Sequence, residues 1–516
     1  MPECCSSEVR KKAPAGSLGY GRGSLKHGKH EVKMESRTHQ QAGFEIVPQP
    51  ARSKRRAAQR GSTLVYGTLM ITFVLLPFIG LAIDVGLMYL AQSRLSAAAD
   101  AATIAGAGAL SRGSDDTTQR ANAVTTANAY FYANFPAGYL LSTNLTVNSV
   151  AATDATHLRS ITTTASVNMP TIFLGMLSSS PRTITVTSKS TRRDINIMVV
   201  MDRSGSLNTS YNGQPAACSP LKAAAVNFVD QFAETRDNVG LITFATSSHI
   251  DYAPATTFKT TVEGYLNAVT CTGATSSAQA LWQGYDQLVK LNQGGALNAI
   301  LFFTDGRPTA VTEDFPLKGA CSTKGTIPRR GVLTLGYNGT VPSSAMGLYN
   351  WTAPGPPPLA SDLTVISDKT SCAFASDQTN VSSDVSNAPI TDIWGNSLTA
   401  TGYRSTTTSG TGLSVSIAQN VENFSTNAAD HAALRIRRGD ADPLQGNLSL
   451  SGVVIYCIGY GGDVDGTLLQ RIANDPSLVP NPVAAGNNGR YYNAPTTSDL
   501  NQAFMQVASE MLRIAQ

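Results

Sequence analysis

The chain has 516 residues, 42% of them hydrophobic and 14% charged, with a mean hydropathy of −0.07. At roughly 100 to 200 residues per domain, this length gives about three structural units, each able to bury a core, and the composition excludes both wholesale disorder and a many-span membrane protein. Residues 1–60 hold 13 of the 39 Lys and Arg and 5 of the 35 Asp and Glu, leaving 26 and 30 for the remainder, so a tail of net +8 precedes a body of net −4. The tail offers no folded basic face with aromatic or helical context, and no nucleic-acid partner is expected.

Residues 1–60 are rich in Gly, Ser, Gln, Lys and Arg without a sustained period of 3.6 or 2, which predicts a disordered basic tail. Residues 61–83 follow, and 64–83 contain 20 residues without a charge. As a helix these span about 30 Å, the thickness of a hydrocarbon core, so the lipid bilayer is the expected partner of 61–83. Pro77 predicts a kink of the kind membrane spans tolerate. Arg52, Lys54, Arg55, Arg56 and Arg60 precede the run, and Asp84 is the one charge before Arg94. The positive-inside rule then keeps the amino end in the cytoplasm and exports everything after residue 84. Ala-rich sequence without proline continues the helix to about Leu110.

The string RGSTLVYGTLMITFVLLPFIGLAIDVGLMYLAQSRLSAAADAATIAGAGAL resembles the amino-terminal segment of the TadE/TadG-like proteins of bacterial Flp (Tad) pilus assembly. The residues that carry the likeness are Arg60, Gly61, Asp84, Gly86, Leu95, Ala98, Asp100, Ala101 and Ala102. Prepilin-like members have Glu five residues after the cleavage Gly, and here Tyr66 stands there, so a retained anchor is expected over processing at Gly61. The resemblance implies that 61–112 is a transmembrane helix continuing into an exported helix, anchored in the bacterial inner membrane.

Residues 114–134 predict a second helix with Ser114 or Asp115 as N-cap. Thr/Val/Ile-rich runs at 145–150, 159–167, 171–176 and 183–188 predict strands. Together they give a small α+β module over 113–190 of pilin-like shape, in which His157 reads as a solvated loop histidine.

A domain over 191–516 begins with INIMVVMDRSGS, an apolar strand that ends in Asp202, Ser204 and Ser206. A carboxylate and two hydroxyls on a turn after a buried strand form an all-oxygen set suited to a hard cation and poor for zinc. Thr275 stands just before the amphipathic sequence AQALWQGYDQLVKL, and Asp305 ends a second apolar strand in a Thr-Asp-Gly sequence. Asp-x-Ser-x-Ser, a distant Thr and a distant Asp resemble the metal-ion-dependent adhesion site of the von Willebrand factor A domain. That resemblance implies Mg²⁺, or Mn²⁺ or Ca²⁺, on Asp202, Ser204, Ser206, Thr275 and Asp305, with a partner's acidic side chain completing the shell.

Helices are predicted at 220–234, 259–269, 465–474 and 498–514, and strands at 238–246, 450–459 and 489–493. Alternating strands and helices predict an α/β fold with a doubly wound, mostly parallel sheet. Between Asp305 and a helix expected near Gly412, the Gly-, Pro-, Ser- and Thr-rich insertion 307–411 is expected to fold over or beside the metal edge as a lid.

Of seven cysteines, Cys4 and Cys5 precede the span. Among the exported five, Cys218 is expected to pair with Cys271 and Cys321 with Cys372, leaving Cys457 as a buried free thiol. No Gly-x-Ser-x-Gly elbow, His-Glu-x-x-His or phosphate loop is present. The expected function is therefore non-enzymatic: an anchored protein that binds a pilus protein, envelope protein or surface ligand through a divalent metal in pilus assembly or adhesion. The alternative is a minor pilin-like subunit in which the A domain is only a cap.

Overall fold

The computed structural model describes residues 59–113, 115–173, 181–208, 210, 215–315, 329–338, 341–350, 387–399, 403–443, 446–481 and 484–515. The expected tail 1–60 lies almost wholly outside these residues, as do Ser114, Cys321 and Cys372. Two units are distinguished, residues 1–71 and residues 72–516. In the first, the described part is helix α1 (Gln59–Met70).

A π turn over Ile71–Leu75 and helix α2 (Leu76–Ala109) follow, and Ser62–Ala109 is long and apolar enough to cross a membrane. Proline lacks an N–H and its ring crowds the carbonyl four residues back, so it is accommodated in the first turn of α2, directly after the wider π turn. The helix ends within one residue of the expected Leu110.

Past the apolar run, α2 buries Ala91, Leu95, Ala98, Ala99 and Ala102, small residues repeating at helical spacing. They pack with Ala123, Ala127 and Phe131 of α3 (Asp116–Asn134). Asp115 is the N-cap, its carboxylate accepting from Thr118 N at 2.9 Å. An antiparallel sheet completes the module: β1 (Thr143–Thr153), β2 (Arg159–Met169) and β3 (Arg182–Arg192), with β2 central. Alternate residues of β2, among them Ile161, Ala165 and Val167, enter the same core. The strand expected at 171–176 is absent from its described part, 171–173. The backbone N–H groups of Ile172 and Phe173 donate instead to Asp84, a partner that no local pattern discloses.

The larger domain is built on β4 (Ile195–Asp202), β5 (Asn238–Phe244), β6 (Ser248–Ala255) and β7 (Leu297–Thr304). Helices α4 (Cys218–Val229), α5 (Lys259–Ala268) and α6 (Ser277–Leu291) connect them. Beyond the insertion, whose strands β8 to β12 are given below, come α7 (Ala418–Arg438), β13 (Val454–Tyr460), α8 (Gly466–Ala473), β14 (Tyr491–Ala494) and α9 (Thr497–Ala515). The six strands form one mixed sheet in the order β14-β13-β7-β4-β5-β6, parallel except for β6 against β5. Edge strand β6 was not expected, because its burial is partial and its sequence carries His249, Asp251 and Pro254.

The central strands are buried on both sides, which explains their unbroken apolar runs. Met198, Val200, Ile300 and Phe302 face a core shared with Trp282 of α6 and Phe424 of α7. Ile197, Val199, Leu301 and Phe303 face the opposite core, with Phe228 of α4, Leu266 of α5 and Phe504 of α9.

The insertion contains structure of its own. Strands β8 (Ala310–Phe315), β9 (Arg329–Asn338) and β10 (Val341–Asn350) form an antiparallel sheet, and β11 (Thr408–Ser409) pairs with β12 (Gly412–Leu413). The helix expected near Gly412 therefore begins later, at Ala418, because residues 412–413 are drawn into a strand pair.

Candidate metal centre

The parallel arrangement brings the carboxyl ends of β4 and β7 side by side, so the residues that end these strands meet although 99 to 102 positions separate them. Asp202 is fully buried. Its Oδ1 accepts from Ser204 N at 2.7 Å and its Oδ2 from Thr304 Oγ1 at 2.6 Å. The turn carries Ser204 and Ser206 back over the strand end, their hydroxyls 3.1 Å apart. Ser206 Oγ donates to Asp305 Oδ1 at 2.9 Å, and Ser204 Oγ lies 3.3 Å from the same oxygen.

Thr275 arrives on the loop before α6. That loop is held against the Ser204–Ser206 turn by Gly205 N donating to Gly273 O at 3.0 Å and Thr272 N donating to Arg203 O at 2.7 Å. Gly273 has φ +94, and a Cβ there would lie 2.7 Å from Thr246 Oγ1, so conformation and space both call for glycine. Thr309 fixes Thr275 from the other side: its hydroxyl accepts from Thr275 N at 2.8 Å and its N–H donates to Thr275 O at 2.9 Å. The expected disulfide Cys218–Cys271 is present, with Cα atoms 6.1 Å apart, tying the start of α4 to the start of this loop. Cys457 is free and buried.

Ser204, Ser206, Thr275 and Asp305 line one cavity of about 320 Å³, and Asp202 lies beneath them. Sequence reasoning missed several participants: Thr304, which holds Asp202; Thr309, which holds Thr275; and Arg307, Leu335 and Asp463 on the cavity wall. Thr304 stands in the Thr-Asp-Gly sequence, and Gly461, Gly462 and Asp463 follow directly from the end of β13, so both had a visible signal. Leu335 belongs to β9 inside the insertion and had none.

Burial dominates the electrostatics. It pushes the Asp202 carboxyl up to about 6. Burial and then the negative charge of Asp202 push Asp305 up to about 8. Two neighbouring carboxyls removed from water favour neutralisation, by a proton or by a cation. The donors are carboxylate and hydroxyl oxygens of Asp202, Ser204, Ser206, Thr275 and Asp305. The set therefore fits a hard divalent cation and lacks the nitrogen and sulfur donors of a zinc site.

Residues 197–307 match the family model of the von Willebrand factor type A domain, and residues 61–109 match that of the TadE/G-like Flp pilus-assembly proteins. No curated protein matches the chain. Among solved structures, the PilB minor pilin from Streptococcus sanguinis is 13% identical, with 72% of this chain and 79% of that chain covered and a TM-score of 0.34. The vWF domain of the type V pili tip protein Mfa5 from Porphyromonas gingivalis is 15% identical, with 63% and 98% covered and a TM-score of 0.34. The pilus adhesin SpaC from Lactobacillus rhamnosus GG is 14% identical, with 72% and 35% covered and a TM-score of 0.33. Residues 61–109 are thus a TadE/G-like pilus-assembly segment and residues 197–307 a von Willebrand factor type A domain, a pairing consistent with a TadG-like protein.

Proposed function

We propose that the chain is a non-enzymatic binding protein of Tad/Flp pilus assembly or adhesion. Helix Ser62–Ala109 anchors it once in the bacterial inner membrane, with the amino end cytoplasmic and the type A domain exported. Asp202, Ser204, Ser206, Thr275 and Asp305 are the residues that hold a divalent cation, Mg²⁺ being the first choice for an all-oxygen set. A bound cation supplies concentrated positive charge for an acidic side chain of a pilus, envelope or surface partner.

The observation that carries this reading is the clustering of Ser204 and Ser206 on Asp305 above the buried Asp202, open to the cavity. The chain's own groups do the positioning. Thr304 and the Ser204 N–H orient Asp202, Thr309 orients the Thr275 backbone, and the disulfide holds the loop. Leu335 of the insertion lies on the cavity wall, which supports a role for the insertion in partner selection.

The test is partner or surface binding by Asp202→Ala and by Ser204→Ala with Ser206→Ala, alongside wild type in EDTA. Loss of binding in all three is expected. Wild-type adhesion and pilus assembly in the variants would contradict the proposal. The length of Ser62–Ala109 supports a second reading, a minor pilin-like subunit capped by the A domain. Cleavage at Gly61 and recovery in sheared pili would favour it.

A further inference from the structure

Asp84 closes the uncharged run 64–83, yet it is only 1% exposed. Its Oδ1 accepts from Ile172 N at 3.1 Å and its Oδ2 from Phe173 N at 2.9 Å. One turn earlier, Gly80 shares the same helix face, and a Cβ there would lie 2.4 Å from a ring carbon of Phe173. The Phe173 ring therefore rests flush on the helix about 6 Å inside the point where the first charge appears. Ile172 is nevertheless 50% and Phe173 39% exposed, and Leu81, Ile83 and Val85 of the helix are exposed as well.

We propose that the segment after β2, at Ile172 and Phe173, is a second contact with the lipid bilayer, seated on the helix by the Asp84 carboxylate. The proposal rests on the reading of Ser62–Ala109 as a membrane span. Backbone entering an apolar phase must have its N–H groups satisfied within the protein. Asp84 supplies acceptors for two consecutive N–H groups at the depth where water ends. Gly80 removes the side chain that would hold the ring away. Ile172 and Phe173 expose apolar side chains where the chain is held against Gly80 and Asp84, at the end of the apolar run, which names lipid as the occupant. Tyr89, 72% exposed a further turn along, suits the headgroup level. The segment would fix the folded module close to the bilayer surface at a set height, where a single helix alone would leave it free to tilt.

The test uses the full chain in phosphatidylcholine vesicles with a benzophenone amino acid replacing, in separate preparations, Phe173, Phe78 within the span and the exposed Lys189 of β3. After irradiation, mass spectrometry should find lipid adducts at positions 173 and 78 and none at 189. Asp84→Asn, and independently Gly80→Ala, should remove most of the adduct at 173 while leaving that at 78. Lipid adducts at 78 but not at 173 would overturn the proposal with the span intact. Absence of lipid adducts at both positions would overturn the span and the proposal together.

Discussion

Ser206 Oγ donates to Asp305 Oδ1 at 2.9 Å, joining two residues 99 positions apart at the carboxyl ends of neighbouring parallel strands. The contact makes Asp305 the meeting point of the hydroxyl-bearing turn and the β7 end, with Asp202 held behind it. Burial raises both carboxyls, and the charge of Asp202 adds to it at Asp305, so a cation bound there, as proposed, would offset the cost of holding both ionised.

Thr304 supports this arrangement without lining the cavity. Its hydroxyl is the donor to Asp202 Oδ2 at 2.6 Å. Thr304→Val keeps the shape and removes the donor, and should weaken Mg²⁺ binding by about 10- to 100-fold, as expected of an outer partner. Isothermal titration calorimetry checks this, with circular dichroism confirming the fold. Unchanged affinity would mean that Asp202 has no part in holding metal.

The Cys218–Cys271 bridge closes a sequence separation of 53 and fixes the loop that presents Thr275. Cys218→Ala with Cys271→Ala should lower unfolding stability by about 2 to 4 kcal/mol, chiefly by releasing the unfolded chain. The double variant should also weaken metal binding. Denaturant unfolding and titration of the same sample separate the two effects.

Glu313 of β8 is fully buried, and neither of its carboxyl oxygens has a hydrogen-bond partner among the described residues. Burial and then the negative charge of Asp392 raise its pKa well above the ordinary range, while burial pushes Asp392 up to about 7. The folded state therefore holds protons that the unfolded chain has released, so these two groups' contribution to stability is full in acid and is lost as pH rises, through about 7 for Asp392. Glu313→Met should raise stability by about 1 to 3 kcal/mol above pH 7 and flatten that decline. Melting temperatures measured from pH 5 to pH 8 check the sign. A variant less stable than wild type at pH 8 would show that the carboxylate is satisfied in solution.

Arg159 of the small module lies 2.9 Å from Asp194, just before β4, and both are nearly buried. Its Nη1 also donates to Leu110 O at 3.1 Å. Arg159→Ala strands Asp194, whose pKa burial already raises, and should cost about 3 to 5 kcal/mol. Chemical denaturation measures the loss, and limited proteolysis should show faster cutting between module and domain.

The strands that end in the candidate site were legible because burial on both faces leaves unbroken apolar runs, and the disulfide because its cysteines flank elements placed at one edge. Less legible were features fixed by distant partners. Residues 171–173 read as strand but are held by Asp84. Residues 412–413 read as the start of a helix but pair with 408–409. Edge strand β6 is only partly buried, so its polar residues hid it. The β8–β9–β10 sheet lay in a stretch that composition alone marks as loop, and with it Leu335. Asp202, Ser204, Ser206 and Asp305 were singled out as strand-end and turn residues and through the resemblance to a metal-ion-dependent adhesion site, whereas Thr309 acts through its backbone and hydroxyl contacts with Thr275, for which no spacing rule exists.

The most direct measurement is anomalous X-ray diffraction from crystals of the type A domain grown with Mn²⁺. One strong peak bounded by Ser204, Ser206, Thr275 and Asp305, lost in Asp305→Ala, is the predicted result. A fully occupied peak elsewhere with this cavity empty at millimolar Mn²⁺ would contradict the account.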